Sequence, residues 1–250
     1  MTLLRTPRRD PSVALAGLTV LLQIGYPLVS GAPRNTLTVL TVVAFFTASV
    51  THAAVHRGPR WAALLVLVTA GAGLVAESVG TRTGIPFGDY DYTGSLGWQL
   101  LSVPVVVPMA WTMMAYPCLL VGQRLASSRV VAALIGGWAL AAWDLFLDPQ
   151  MVEAGHWVWL NVQVSWPGSP DVPVSNSLGW LLVSVLMVGV LQLLPRREAD
   201  DRVPAALFLW TYVSSVLAFA VFFGRPVVAL VGGIGMGLVA VPYARAVVRR

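Results

Sequence analysis

Residues 61–80 read WAALLVLVTAGAGLVAESVG, twenty residues whose only ionisable side chain is Glu77. A helix of that length rises about 30 Å, the thickness of the hydrocarbon layer of a bilayer. Similar stretches recur at 13–30, 36–56, 99–122, 130–147, 178–194, 204–223 and 226–247. Eight spans in 250 residues, with 57% hydrophobic and 11% charged residues, predict an all-α, polytopic helical membrane protein. No stretch is left for a separate soluble unit. The chain therefore reads as one domain, residues 1–250, with a short cytoplasmic tail at 1–12. Gly224-Arg225 is so brief a connection that seven spans, the last long and broken, is the alternative count.

Charge supplies the orientation. All sixteen basic residues are arginine. With the N-terminus inside, Arg5, Arg8, Arg9, Arg57, Arg60, Arg124, Arg129, Arg196, Arg197, Arg202, Arg245, Arg249 and Arg250 fall on the inner side. Only Arg34, Arg82 and Arg225 fall outside, so the chain is expected N-in and C-in. The net charge of +5 thus sets topology and does not imply a nucleic-acid partner. The absence of lysine excludes a retinal Schiff base. The single cysteine, Cys118, precludes an intrachain disulfide. The basic start of the chain resembles a signal peptide, but Pro33 would follow the cleavage point, and the segment is expected to stay as the first span.

On this map seven of the eleven acids lie on the outer side, and two of them, Glu77 and Asp144, lie within spans. An ionised carboxylate in mid-bilayer costs roughly 2.5–3.5 kcal/mol on the mildest scale, which makes both functional suspects. Each precedes a long outer loop. The first contains Gly84-Ile85-Pro86-Phe87-Gly88-Asp89-Tyr90-Asp91-Tyr92, with turn-forming residues among carboxylates and phenols. The second follows Trp143-Asp144-Leu145-Phe146-Leu147-Asp148-Pro149 and carries His156, Trp157, Trp159, Trp166 and Asn176. Asp144 and Asp148 share a helical face, and Pro149 is expected to turn Asp148 out of the helix. Any one tryptophan alone would read as an interfacial anchor. Asp10, Glu198, Asp200 and Asp201 read as solvated charges among inner arginines.

Other patterns are structural. His52 and His56 have metal-ligand spacing but no third ligand nearby in sequence, so they read as a polar helix end, and no metal is expected. Gly233 and Gly237 form a G-x-x-x-G for close helix packing. Pro104, Pro108 and Pro117 are expected to kink the fourth span and open a cavity. Ser95–Val103 echoes Ser177–Val185, both read as helix starts, which suggests duplicated hairpins related by an axis along the membrane normal.

Over residues 70–195 the chain resembles the integral-membrane carotenoid hydratases, often labelled carotenoid biosynthesis proteins. The resemblance rests on Glu77 with residues 84–92, on Trp143-Asp144 with Asp148-Pro149-Gln150-Met151, on Trp157-Val158-Trp159, and on Pro173, Asn176 and Gly179-Trp180. The family pattern has glycine before the proline and an aromatic after the asparagine; Val172 and Ser177 stand there in this chain. The resemblance implies addition of water to the terminal isoprenoid double bond of an acyclic C40 or C50 carotenoid end, giving a tertiary alcohol. It also implies a polyene substrate, surrounding lipid and neighbouring carotenoid-pathway membrane enzymes as partners.

Such a hydration needs a proton donor, a stabilised tertiary cation and a positioned water, and no cofactor. Burial favours the protonated form of a carboxyl group. One of Glu77 and Asp144 is therefore expected as donor and the other as water-orienting base, in either order, with Asp89 and Asp148 as further catalytic candidates. Phe87, Tyr90, Tyr92, Trp143, Trp157, Trp159, Asn176 and Trp180 are expected to line the substrate, where aromatic faces stabilise a cation by about 0.5–2 kcal/mol each. A carotene cyclase, a membrane prenyltransferase using Asp144 and Asp148 for Mg²⁺, and a proton-coupled transporter are the rival readings.

Overall fold

A computed structural model describes residues 10–249; Arg5, Arg8, Arg9 and Arg250 and most of the expected tail lie outside them. Eight helices are long and apolar enough to cross a membrane. They are α1 (Pro11–Gly25), α2 (Ala32–Arg57), α3 (Pro59–Thr83), α4 (Val106–Leu125), α5 (Arg129–Glu153), α6 (Val174–Leu191), α7 (Arg202–Leu217) and α8 (Pro226–Val248). A 3₁₀ turn, Tyr26–Leu28, extends α1, and a π turn, Ala218–Phe222, extends α7. The protein is an all-α, multi-pass membrane protein.

Local chemistry sets the ends of these helices. Proline opens α1, α3 and α8, where its missing N–H costs no hydrogen bond. Gly84 closes α3 in the left-handed conformation, at φ 72°. Gly224, at φ 64°, separates the π turn from α8, so the last two spans are distinct and the count is eight. Outward faces carry stripes such as Leu178, Leu182, Leu186 and Val190 on α6 and Leu230, Ile234 and Leu238 on α8, all exposed. Apolar stripes of that length suit lipid and not water.

The core is built around α4, which packs against α2, α3, α5, α6, α7 and α8. Its residues Trp111–Gly122 are all buried, as expected of a helix with neighbours on every side. Small residues let the backbones meet. A Cβ at Gly122 would stand 2.1 Å from the Ala132 carbonyl oxygen, and one at Gly136 would stand 2.7 Å from that of Cys118. On α8, Gly232 and Gly235 admit Phe146 and Leu145 of α5, while Gly233 and Gly237 face Val216 and Tyr212 of α7. Close packing at the glycine motif is as expected, and the other two glycines serve a second neighbour.

The connections depart from the sequence reading in four places. The fourth helix starts at Val106 and not at 99, because residues 99–104 form a hairpin of β2 (Gln99–Leu100) and β3 (Val103–Pro104). Pro104 is therefore a strand residue, and only Pro108 and Pro117 belong to α4. The hairpin also breaks the Ser95–Val103 echo: Trp98 is 86% exposed in a loop, whereas Trp180 is 6% exposed within α6. Similar sequence here does not mark two helix starts. Finally, α5 runs through Asp148 and Pro149 to Glu153, so Pro149 does not expel Asp148, which is buried inside the helix.

The histidines share a face and stack at 4.3 Å. Asp10, distant in sequence, stands beside them with an oxygen 2.8 Å from His56 Nε2, so a third acidic neighbour does exist. Both ring nitrogens of His52 are engaged, by the Tyr116 hydroxyl and the Asp200 carbonyl, at 2.8 Å each. This remains a packed polar helix end.

Candidate active site

The two long loops meet as a ribbon. Strand β1 (Tyr90–Tyr92) pairs antiparallel with β4 (Trp157–Trp159), setting Tyr90 opposite Trp159 and Tyr92 opposite Trp157. Alternation along a strand sends Tyr90, Tyr92, Trp157 and Trp159 to one face and Asp91 and Val158 to the other. The inner face roofs a partly open cavity of about 150 Å³, whose walls come from α1, α2, α4, α5, α6 and α7 and the end of α3. The roof is seated by small residues: a Cβ on Gly179 would lie 2.6 Å from the Pro86 carbonyl oxygen, and one on Gly80 would lie 3.0 Å from Phe87.

Ten of the twelve residues expected at the site line this cavity: Glu77, Phe87, Tyr90, Tyr92, Trp143, Asp148, Trp157, Trp159, Asn176 and Trp180. Asp89 does not: it lies in the bend just before β1 with its side chain exposed, and its backbone carbonyl accepts from Leu160 N–H at 2.8 Å. Asp144 does not line it either. It lies behind Asp148, against a smaller cleft with Trp166, Ser169 and Ser177.

Three donors converge on the Glu77 carboxylate. The Tyr90 and Tyr92 hydroxyls donate to Oε2, the latter at 2.8 Å, and Trp111 Nε1 donates to Oε1 at 3.0 Å. Burial first, and Glu77 second, hold both phenols well above their ordinary range, so they remain donors at any physiological pH. The second acidic group differs. Asn176 Nδ2 bridges Asp144 Oδ2, at 2.9 Å, and Asp148 Oδ2, while Trp157 Nε1 donates to Asp148 Oδ1 at 3.1 Å. Asp144 and Asp148 lie one helical turn apart on α5, both buried, and share the one Asn176 amide.

Aromatic rings fill the space between the acids. Trp180 stacks on Trp111 with centroids 4.0 Å apart and meets Trp143 edge-on at 6.1 Å. Trp111 was not singled out in the sequence, where it sits in an apolar run with no local motif. Gly73 makes room for it, since a Cβ there would stand 2.7 Å from the indole. Equally unexpected is a polar wall from α1, α2 and α7, including Gln23, Tyr26, Thr38, Thr41, Thr211, Ser214 and Ser215. His156 stays outside the cavity. Burial holds it below its ordinary range, and its Nδ1 meets Ser95 Oγ at 2.8 Å, tying one loop to the other.

Among the described residues that line the cavity there is no arginine. The chemistry on offer is carboxyl, phenol, amide and aromatic face.

The chain is similar in sequence to known proteins. A bisanhydrobacterioruberin hydratase of Haloarcula japonica is 36% identical over 154 residues, 53% of this chain and 50% of that protein. The chain thus spans about half the length of that curated relative. No solved structure matches. The family model described as "Carotenoid biosynthesis protein" matches residues 36–242, a stretch that holds α3 and α5, the ribbon above them and the whole cavity apart from its α1 wall. On that match the chain belongs to the carotenoid biosynthesis protein family.

Proposed function

We propose that the protein is a carotenoid hydratase, adding water across the terminal isoprenoid double bond of an acyclic carotenoid end group to give a tertiary alcohol. The observation that carries this reading is the pair of buried carboxyls, Glu77 and Asp148, facing one aromatic cavity from two helices. The hydratase name of the archaeal relative supports it.

The environments of the acids divide the roles. Three donors on Glu77 suit its ionised form, whereas two adjacent buried carboxyls with one amide between them suit a shared proton. Asp148, the member at the cavity, gives that proton to the less substituted alkene carbon. The π pair forms the new C–H bond and leaves a tertiary cation, which the faces of Trp143, Trp180 and the roof aromatics stabilise. Water attacks the cation, and Glu77 takes the proton that the oxygen sheds. Relay of that proton back to the Asp pair restores the starting state, and the sum is alkene plus water. Asp144 and Asn176 position Asp148. The expected orientation puts the site near the extracytoplasmic face.

The test is expression in a lycopene-producing host, followed by pigment mass. A gain of one water per reacted end is the expected result. Unchanged mass with an altered absorption spectrum would mean that the cation is quenched by ring closure, and the protein would be a cyclase.

A further inference from the structure

The cavity carries polar groups that the hydration chemistry does not use. Gln23 Oε1 on α1, the Tyr26 hydroxyl in the turn after it, and Thr41 Oγ1 on α2 all line it, all are buried, and none has a hydrogen-bond partner among the described residues. Buried polar atoms are nearly always paired, and leaving one unpaired costs free energy. Three such atoms on one wall of one cavity therefore ask for a polar guest.

Their setting shows that they are held in place. Three of the other four threonines on α2 bond back to the carbonyl one turn earlier: Thr36 to Ala32 at 3.2 Å, Thr38 to Arg34 at 3.0 Å and Thr47 to Val43 at 2.7 Å. Thr41, whose hydroxyl is buried at the cavity, does not. The Tyr26 ring packs against the Arg34 guanidinium, 5.5 Å from its centroid, and perpendicular to the Phe223 ring at 6.2 Å. The three atoms offer an acceptor and two hydroxyls that can donate or accept, with no charge among them. That set matches a neutral hydroxyl oxygen.

We propose that Gln23, Tyr26 and Thr41 form a second, polar subsite of the cavity that binds a hydroxyl group, carried by the end group of the polyene or by a water. The proposal rests on the hydratase reading for the identity of the polyene. Its chemical content is selectivity: an acyclic end that already bears an alcohol near its alkene is gripped at both places.

The test compares Tyr26→Phe/Thr41→Val with the wild-type full-length protein in detergent. Binding is read by quenching of cavity tryptophan fluorescence, using lycopene and an acyclic carotenoid with an alcohol on the same end group as the alkene. Thr36→Val, on an exposed hydroxyl of the same helix, is the control. Wild type and control are expected to bind the alcohol at least 10-fold more tightly than lycopene. The double variant is expected to lose that preference while its affinity for lycopene stays within twofold. If the wild type binds both alike and the double variant hydrates both at least 10-fold more slowly, the occupant is water. Equal binding with hydration unchanged, or with no hydration by the wild type, overturns the subsite. Absence of hydration with the binding preference intact would instead overturn the catalytic reading alone.

Discussion

The bundle contains two buried polar clusters, one at each end, and they are built on opposite principles. At the end expected to lie inside, the Arg57 guanidinium donates to the Tyr116 hydroxyl and to Asp201, at 2.6 Å each, while Arg197 donates to the Arg57 carbonyl. His52 joins through Tyr116 and Asp200. Cation meets anion there and the donors find acceptors. At the opposite end, expected to lie outside, three carboxyls, 1–5% exposed, share phenols, indoles and one amide, with no cation among the described residues that line the cavity. A paired charge holds helices together; a buried acid without a counter-charge, beside open space, is poised for proton transfer.

Substitutions can break that contrast, and the greatest effect is expected at Asp148. Asp148→Asn removes the proposed donor, and hydroxycarotenoid formation should drop roughly 10³-fold, within the span of general acid catalysis. Membrane abundance of the variant should be unchanged. Near-normal pigment would return Asp148 to a packing role. Glu77→Gln keeps the shape and removes the charge that takes up the proton, so about a 10²-fold loss is expected in the same assay.

The inner cluster should respond in another currency. Arg57→Met strands Asp201 and the Tyr116 hydroxyl. It should lower stability to thermal or denaturant unfolding in detergent by about 2 kcal/mol, since Asp201 is only partly buried. Turnover per folded molecule should stay within about twofold, because no reacting group is touched. A large loss of turnover would mean that the two ends communicate.

Two smaller effects sharpen the outer site. Asp144→Asn should cost about 10-fold in hydration, less than Asp148→Asn, because Asp144 acts through its neighbour. Rescue by Asp144→Glu would support that positioning role. Asp89→Asn should change hydration by less than about twofold, as expected of an exposed side chain away from the cavity.

The sequence made some of these residues visible and hid others for physical reasons. Glu77 stood out because a lone charge in twenty apolar residues has one bland explanation fewer than any loop acid. The Tyr-x-Tyr and Trp-x-Trp patterns gave away the roof, since alternate residues of a strand share a face. Asp148 was obscured by Pro149. A proline usually ends a helix at the preceding residue, yet α5 continues past it with the carbonyl of Pro149 taken by Arg225 at 3.0 Å. Asp89 failed for the opposite reason: it sits in the polar stretch that follows Glu77 in sequence, but the bend before β1 leaves its side chain exposed. Trp111 and the α1–α2 wall had no signal at all. Their role exists only once distant helices pack, and a span that is apolar all round carries no mark of which side faces a cavity.

The ribbon between β1 and β4 has a consequence for how the molecule could be divided. The donors to Glu77 come from 13, 15 and 34 residues downstream, and those to the aspartate pair from 9, 28 and 32. Each acid therefore finds its partners within its own hairpin, α3–α4 or α5–α6, as the chain enters the membrane. The strand pairing, together with the packing of α4 on α5 and of Trp111 on Trp180, makes one chamber of the two. A chain severed in the short turn between α4 and α5 would still carry each carboxyl group with its own donors, and co-expression of the pieces would regain activity to the extent that the ribbon and the helix contacts rejoin them.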